Sequence, residues 1–269
     1  MRIASWNING VRSAASKGLK EWLQATEADV VALQEVRATP EQARAALADV
    51  LDGWHLEVRD AKRAGYSGVA LLTREKPDAW IDGLGDSRFD DEGRLVGARF
   101  GRFVVLGGYF PNGNGKDRDL SRIPYKLEFT AAVRDMAERM AKGGQRVVVL
   151  GDFNTAHREI DLARPGPNVG TSGFTPIERE ALDSWITGGW VDSFRRFESG
   201  PGHYTWWSQR FGVRQKNIGW RIDLALATRG CAKHLVHAWH EPHVMGSDHC
   251  PIGVAFAPEV LGQRRATAG

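Results

Sequence analysis

Acids and amides stand at the ends of several apolar runs in this chain. Asn7 closes RIASWN, Glu35 closes VVALQE, Tyr109 closes VVLGGY, and Asp152 and Asn154 close VVVLGDFN. Asp223 lies inside RIDLALA, and Asp248 and His249 precede PIGVAFA in the segment GSDHCP. Singly, each has a plain explanation, because Asn and Asp at strand ends are most often turn or cap residues. As a set they are costly. A half-buried carboxylate needs a partner or a metal, yet Glu35, Asp152, Asp223 and Asp248 all accompany apolar strands where Ser or Thr would cost less. If those strand ends converge, like charges meet and call for a cation.

The donors are hard oxygens plus one imidazole, a set that favours Mg²⁺, with Mn²⁺ as the alternative, over zinc. An oxygen-bound Mg²⁺ with few protein ligands suits phosphate-ester chemistry, where the ion neutralises charge on the phosphate and the leaving oxygen. A histidine with a carboxylate partner serves such a reaction as a cation against a phosphate oxygen or as a base. Asp223 is the expected partner of His249. The chain has no GxxxxGK(S/T) loop and no strand-anchored GxGxxG, so hydrolysis of a bound ester is expected and a nucleotide cofactor is not.

The elements that must position these groups are mixed. Strand-like runs occupy 2–7, 29–35, 66–73, 94–100, 102–110, 145–154, 221–227 and 251–257. They are rich in β-branched residues and bounded by Gly, Asp or Asn. Helices are predicted over 17–25, 40–51, 121–141 and 176–187, two of them opening on Pro40 and Pro176. No helix is expected between the strands of 66–110, so antiparallel pairing is predicted there. At 269 residues, with 42% hydrophobic and 26% charged residues, the chain can build a sizeable core. No repeat or linker divides it. One domain over 1–257 is predicted, with a loose tail over 258–269. Two cysteines make no disulfide framework, no leader is expected, and no apolar run reaches membrane length. A cytoplasmic monomer is the expectation. A net charge of +3 permits a polyanionic partner without requiring one.

The segments SWNINGVR, VVALQE, GYSGVALLTR, GGYFPNG, VVVLGDFN, SGFTPIERE, GWRIDLALAT and GSDHCPI together resemble the exonuclease III / class II AP endonuclease family, in its order and spacing, over residues 1–257. LQE, GDFN and SDH are shared with the wider endonuclease/exonuclease/phosphatase superfamily, whereas NGVR, GFTPIERE and NIGWRIDL are particular to the AP endonuclease branch. The resemblance implies a four-layered α/β sandwich, with two packed, mostly antiparallel sheets flanked by helices. It also implies Mg²⁺-dependent hydrolysis of duplex DNA 5′ to abasic sites and at normal or blocked 3′ ends. By resemblance, Asn7, Glu35 and Asp248 form the main metal site, with Asp152, Asn154 and His249 beside it. Asp152 orients or deprotonates the attacking water and Asn154 steadies it. His249, braced by Asp223, faces the phosphate, and Tyr109 contacts the phosphate or the leaving group. Whether Asp152 or His249 is the base stays open. Asn9 departs from the family, some members of which carry Asp there; it keeps an oxygen and loses a charge.

The stretch YTWWSQRFGVRQKNIGWR, 204–221, interleaves aromatics with Arg210, Arg214, Lys216 and Arg221 and contains no acid. Its composition suits either a solvated basic loop over core tryptophans or a DNA-contacting loop. The resemblance favours the second. It makes Trp206 and Trp220, with Ile222, the walls of a pocket for a flipped-out abasic sugar, and the small Thr171, Ser172 and Gly173 its open entrance. It also implies DNA contacts by Arg12, Tyr66, Asn168, Arg210 and Asn217. Arg37, Lys116 and Arg118 are equally well read as surface charge. The competing functions are another phosphoesterase of the superfamily, such as a non-specific DNase, and a non-catalytic DNA-binding relative. The basic aromatic loop argues against the first, and the complete set of Glu35, Asp152, Asp248 and His249 argues against the second.

Overall fold

The computed structural model describes residues 1–117, 119–210 and 212–262. Twelve strands run β1 (Arg2–Asn7), β2 (Val30–Gln34), β3 (His55–Arg59), β4 (Val69–Thr73), β5 (Ala79–Asp82), β6 (Leu95–Phe100), β7 (Phe103–Tyr109), β8 (Arg146–Asp152), β9 (Val191–Asp192), β10 (Asp223–Ala227), β11 (Leu235–His240) and β12 (Ile252–Phe256). They form two six-stranded sheets, ordered β11-β12-β1-β2-β4-β3 and β5-β6-β7-β8-β10-β9. Each sheet has one parallel pair at its centre, β1 with β2 and β7 with β8. All other pairings are antiparallel.

Among the described residues, seven α-helices accompany the strands: α1 (Val11–Ala15), α2 (Leu19–Ala25), α3 (Pro40–Leu47), α4 (Ser87–Asp90), α5 (Ile123–Lys142), α6 (Pro176–Thr187) and α7 (Arg229–Ala232). Three apolar layers separate the elements. Ile3, Val30, Leu71, Val105 and Val148 pack between the two sheets. Trp6, Leu19, Leu23 and Val31 join the first sheet to its helices. Phe129, Val133, Val149 and Trp185 join the second sheet to α5 and α6. The result is the four-layered sandwich that the family resemblance implies.

Local chemistry explains where the helices begin. α3 and α6 open on Thr39-Pro40 and Thr175-Pro176, and each closes a capping box with Gln42 or Glu178. The helix expected over 40–51 ends at Leu47 and continues as a 3₁₀ turn, Ala48–Val50. The strands of 66–110 divide between the sheets: β4 pairs with β2 and β3, whereas β5, β6 and β7 form a meander in the other sheet. The edge strands β3, β5, β9 and β11 and the short helices α1, α4 and α7 lie outside the runs that the sequence predicts. At the C-terminus, Pro258–Leu261 forms a 3₁₀ turn whose Val260 is fully buried between the sheets. Order therefore extends past residue 257, and 263–269 of the expected tail lies outside the described residues.

Candidate active site

The two parallel pairs place the chemistry. β1 and β2 run side by side with Asn7 beside Gln34, so Glu35 leaves the sheet next to Asn7. β7 and β8 end with Tyr109 beside Asp152, and Asp223 opens β10 opposite Asp152. Packing the sheets face to face brings these ends to one edge. There the Asn7 amide donates to Glu35 Oε1 at 2.9 Å and to Asp152 Oδ2 at 2.9 Å, bridging the two sheets. The approach is tight at Gly151: its φ is +142°, and a Cβ there would lie 1.9 Å from the Gly108 carbonyl oxygen. Only glycine fits before Asp152.

The backbone is strained around these side chains. Asn9, Glu35, Arg37 and Asn154 all have φ between 48° and 52°. A left-handed non-glycine residue costs about 1–3 kcal/mol, and such strain concentrates at functional sites. The Asn154 amide N–H donates to Asp152 Oδ1 at 2.7 Å, which explains its turn. Arg37 pairs closely with Glu35.

His249 is buried, with Nδ1 against Asp223 Oδ2 at 2.8 Å and Nε2 3.8 Å from Asp152 Oδ2. The predicted partnership with Asp223 is therefore present. Burial alone would lower the imidazole pKa, but the charges of Asp223 and Asp152 more than reverse this and raise it to about 10. Burial raises the Asp152 carboxyl to about 7; the His249 charge opposes this and the Asp223 charge adds to it. Burial also pushes the Tyr109 phenol well above its ordinary value, with Glu35 adding to the effect and Arg94 opposing it. At neutral pH, Tyr109 is thus a proton donor and His249 a cation. Asp152, Asp223 and His249 are the one set of three such groups among the described residues whose donor atoms lie within 4.8 Å of one another. Glu35 and Asp248 face the same cavity outside that set.

That cavity, of about 800 Å³, joins the acids to an aromatic wall. Glu35, Tyr109, Asp152, Asn154, Asp248 and His249 line it together with Trp206, Trp220 and Ile222. Trp206 and Trp220 meet edge to face at 6.2 Å and are half-buried, packed against the buried cluster of Ala156, Leu162, Phe174 and Ile222. Asn168, Thr171, Ser172, Gly173 and Arg210 complete the rim. Arg12 and Arg37 line a separate concavity nearby, Tyr66 is half-buried with its hydroxyl accepting from Arg94 at 2.9 Å, and Lys116 is exposed on a surface loop. Both polar ends of Asn217 are engaged within the protein, by Trp207 and by the Gly202 carbonyl. Arg118 lies outside the described residues.

The structure corrects the sequence reading of two cations in 204–221. Arg221 is buried and ion-paired to Asp161 and Asp192, both at 2.7 Å. Arg214 donates to the carbonyls of Ser247, Pro242 and Val244 and covers the Trp207 ring at 4.6 Å. Both hold the loop in place, and Arg210 and Lys216 remain exposed.

Sequence reasoning also missed the supports. Arg94, 3% exposed, sits 4.7 Å from the Tyr109 ring centre, donates to the Tyr109 carbonyl and pairs with Glu92. Lys126 and Glu178 form a buried pair at 2.6 Å; Lys126 also donates to the Asn154 carbonyl, and Glu178 accepts from the Gly173 amide. Asn112 donates to Asn154 Oδ1 at 3.2 Å. The position of Asn112 just past the end of β7 and the Thr175–Glu178 capping box were the available signals, since nothing local marks Arg94 or Lys126.

The model of the Endonuclease/Exonuclease/phosphatase family matches residues 4–249. A DNA-(apurinic or apyrimidinic site) endonuclease of Dictyostelium discoideum is 35% identical over 257 residues, covering 94% of this chain and 70% of its own. An exodeoxyribonuclease of Bacillus subtilis is 35% identical over 254 residues, covering 94% of this chain and 98% of its own. Among solved structures, a Neisseria 3′ phosphatase bound to product DNA hairpin superposes with a TM-score of 0.85 at 26% identity, covering 96% of this chain and 99% of that one. Residue pattern, two-sheet architecture and kinship agree: the chain belongs to the Endonuclease/Exonuclease/phosphatase family, in its branch of exonuclease III-type exodeoxyribonucleases and AP endonucleases.

Proposed function

We propose that this protein is a metal-dependent DNA-repair phosphodiesterase that incises duplex DNA 5′ to abasic sites and trims or unblocks 3′ ends. The observation that carries the proposal is the single cavity lined both by Glu35, Asp152, Asp248 and His249, a set suited to phosphate hydrolysis, and by the aromatic rings of Trp206 and Trp220. An abasic sugar leaves the stack cheaply because it has no base, and an apolar wall beside a phosphate site accepts it.

The donor set fits Mg²⁺, or Mn²⁺ in its place. Glu35 and Asp248 offer hard carboxylate oxygens to the cavity. Asn7 joins them if its amide turns, since its oxygen now accepts from the Asn9 amide at 3.1 Å. When bound, the ion supplies charge neutralisation at the phosphate. The rest of the chemistry lies with the chain's own residues. Asp152, fixed by the Asn154 amide and by Asn7, takes the proton of the attacking water; with a pKa of about 7 it is poised for that task. His249 presents Nε2 and a positive charge to a phosphate oxygen, with Asp223 holding the ring. The Tyr109 phenol donates to the phosphate or the leaving oxygen.

Incision of a duplex oligonucleotide carrying one tetrahydrofuran abasic analogue tests the proposal. Cleavage 5′ to the analogue with Mg²⁺ and none in EDTA is expected. Glu35→Ala should lower the rate by about 10²–10⁴-fold or more at unchanged melting temperature, the loss typical of a positioned catalytic group. Full activity in EDTA, or in that variant, would remove the ion from the mechanism.

A further inference from the structure

Trp206 does more than line the cavity. Its indole Nε1–H donates to Asp248 Oδ2 at 3.2 Å. The other carboxylate oxygen, Oδ1, accepts from Asn9 Nδ2 at 3.2 Å and lies 3.3 Å from Ser247 Oγ. The Asp248 carbonyl accepts the Trp207 amide at 3.0 Å, and a backbone bridge joins Trp206 to His249. The Trp206 backbone also exchanges two hydrogen bonds of 2.9 Å with Trp220. One residue thus presents its ring to the pocket and its ring edge to an acid of the site. Trp220 differs. Its ring packs against Trp206 and Phe174, and among the described residues its indole makes no hydrogen bond to an acid of the site.

We propose that Trp206 is a positioning residue for the ion-binding carboxylate of Asp248, so that the aromatic pocket and the ion site act as one unit. The proposal rests on the assignment of Asp248 to the ion made above. A carboxylate held by donors on both oxygens is oriented before an ion arrives. Partners of this kind typically govern about 10–100-fold in metal affinity. With Asn9 still holding Oδ1, loss of the indole donor should fall at the low end. A sugar that presses on the indole then also acts on Asp248. By linkage, an ion should tighten lesion binding by the factor by which the lesion tightens ion binding.

The test is Mn²⁺ binding to the intact, DNA-free protein, followed by electron paramagnetic resonance, for wild type, Trp206→Phe, Trp220→Phe and Asp248→Asn. Trp206→Phe keeps an aromatic wall and removes the donor. It should raise the Mn²⁺ Kd about 10-fold, whereas Trp220→Phe should leave it unchanged and Asp248→Asn should raise it further. Raised Mn²⁺ should restore incision to Trp206→Phe. If Asp248→Asn weakens binding but Trp206→Phe does not, the positioning role is wrong and the assignment of Asp248 stands. Equal weakening by both tryptophan variants would mean a loosened pocket and would also overturn the role. Unchanged affinity in Asp248→Asn would overturn the ion assignment, and the role of Trp206 with it.

Discussion

In the proposed mechanism Asp223 acts on the phosphate only through His249, and the two residues should fail differently. His249→Ala removes the cation itself and should lower kcat by about 10²–10⁴-fold, the range for a positioned acid–base group. Asp223→Asn keeps an acceptor for Nδ1 and loses the charge that holds the imidazole pKa up. A group whose folded pKa is raised works below that value and is lost as pH rises through it. The alkaline limb of the wild-type rate profile should therefore lie near pH 10, where the ring loses its proton. In Asp223→Asn that limb should move to lower pH. Identical profiles from pH 6 to 10.5 would show that Asp223 does not hold the charge.

Between elements, the Lys126–Glu178 pair decides whether two loops keep their places. Lys126 comes from α5 and Glu178 from α6. Lys126 holds the Asn154 carbonyl, while Glu178 holds the Gly173 and Thr175 amides at the cavity rim. Burial lowers the Lys126 pKa, and the Glu178 charge opposes that. Removing one member of such a pair leaves an unpaired buried charge, at about 3–5 kcal/mol. Lys126→Met should lose about that much in urea unfolding, and a loss under 1 kcal/mol would mean that the pair does not carry the loops. The buried Asp161–Arg221–Asp192 group anchors the far end of 204–221 in the same manner.

For the whole molecule, the consequence is how DNA is held. The cavity and a second concavity of about 550 Å³ share Ser208 and Asp248 in their walls. Arg210 lies exposed on the rim of the first, whereas Arg214 is tied to three carbonyls. Each phosphate neutralised contributes about 0.9 to the slope of log affinity against log salt. Arg210→Gln should therefore reduce that slope by about 1. Arg214→Gln should leave the slope unchanged and lower the melting temperature instead, because it frees the loop before Asp248. The reverse result, from titrations between 50 and 200 mM salt, would exchange their roles. Among the described residues no helix is long and apolar enough to cross a membrane.

The sequence by itself determined the central strands, the longer helices and the donors. Strand ends, capping boxes and apolar periodicity are local, so Asn7, Glu35, Tyr109, Asp152 and Asp223 could be seen as a set, and GSDHCP with them. The same locality hid Arg94 and Lys126, since nothing near a single Arg or Lys in sequence says that it will be buried. Tertiary structure decided which atoms meet. Asn7 and Asp152 touch across 145 residues of chain, which requires strand register and sheet packing together. It also decided the fate of the cations in 204–221. Arg214 and Arg221 look like Arg210 in a string of letters, but carbonyls and carboxylates from distant segments take their charge inward, and only Arg210 and Lys216 are left to face solvent.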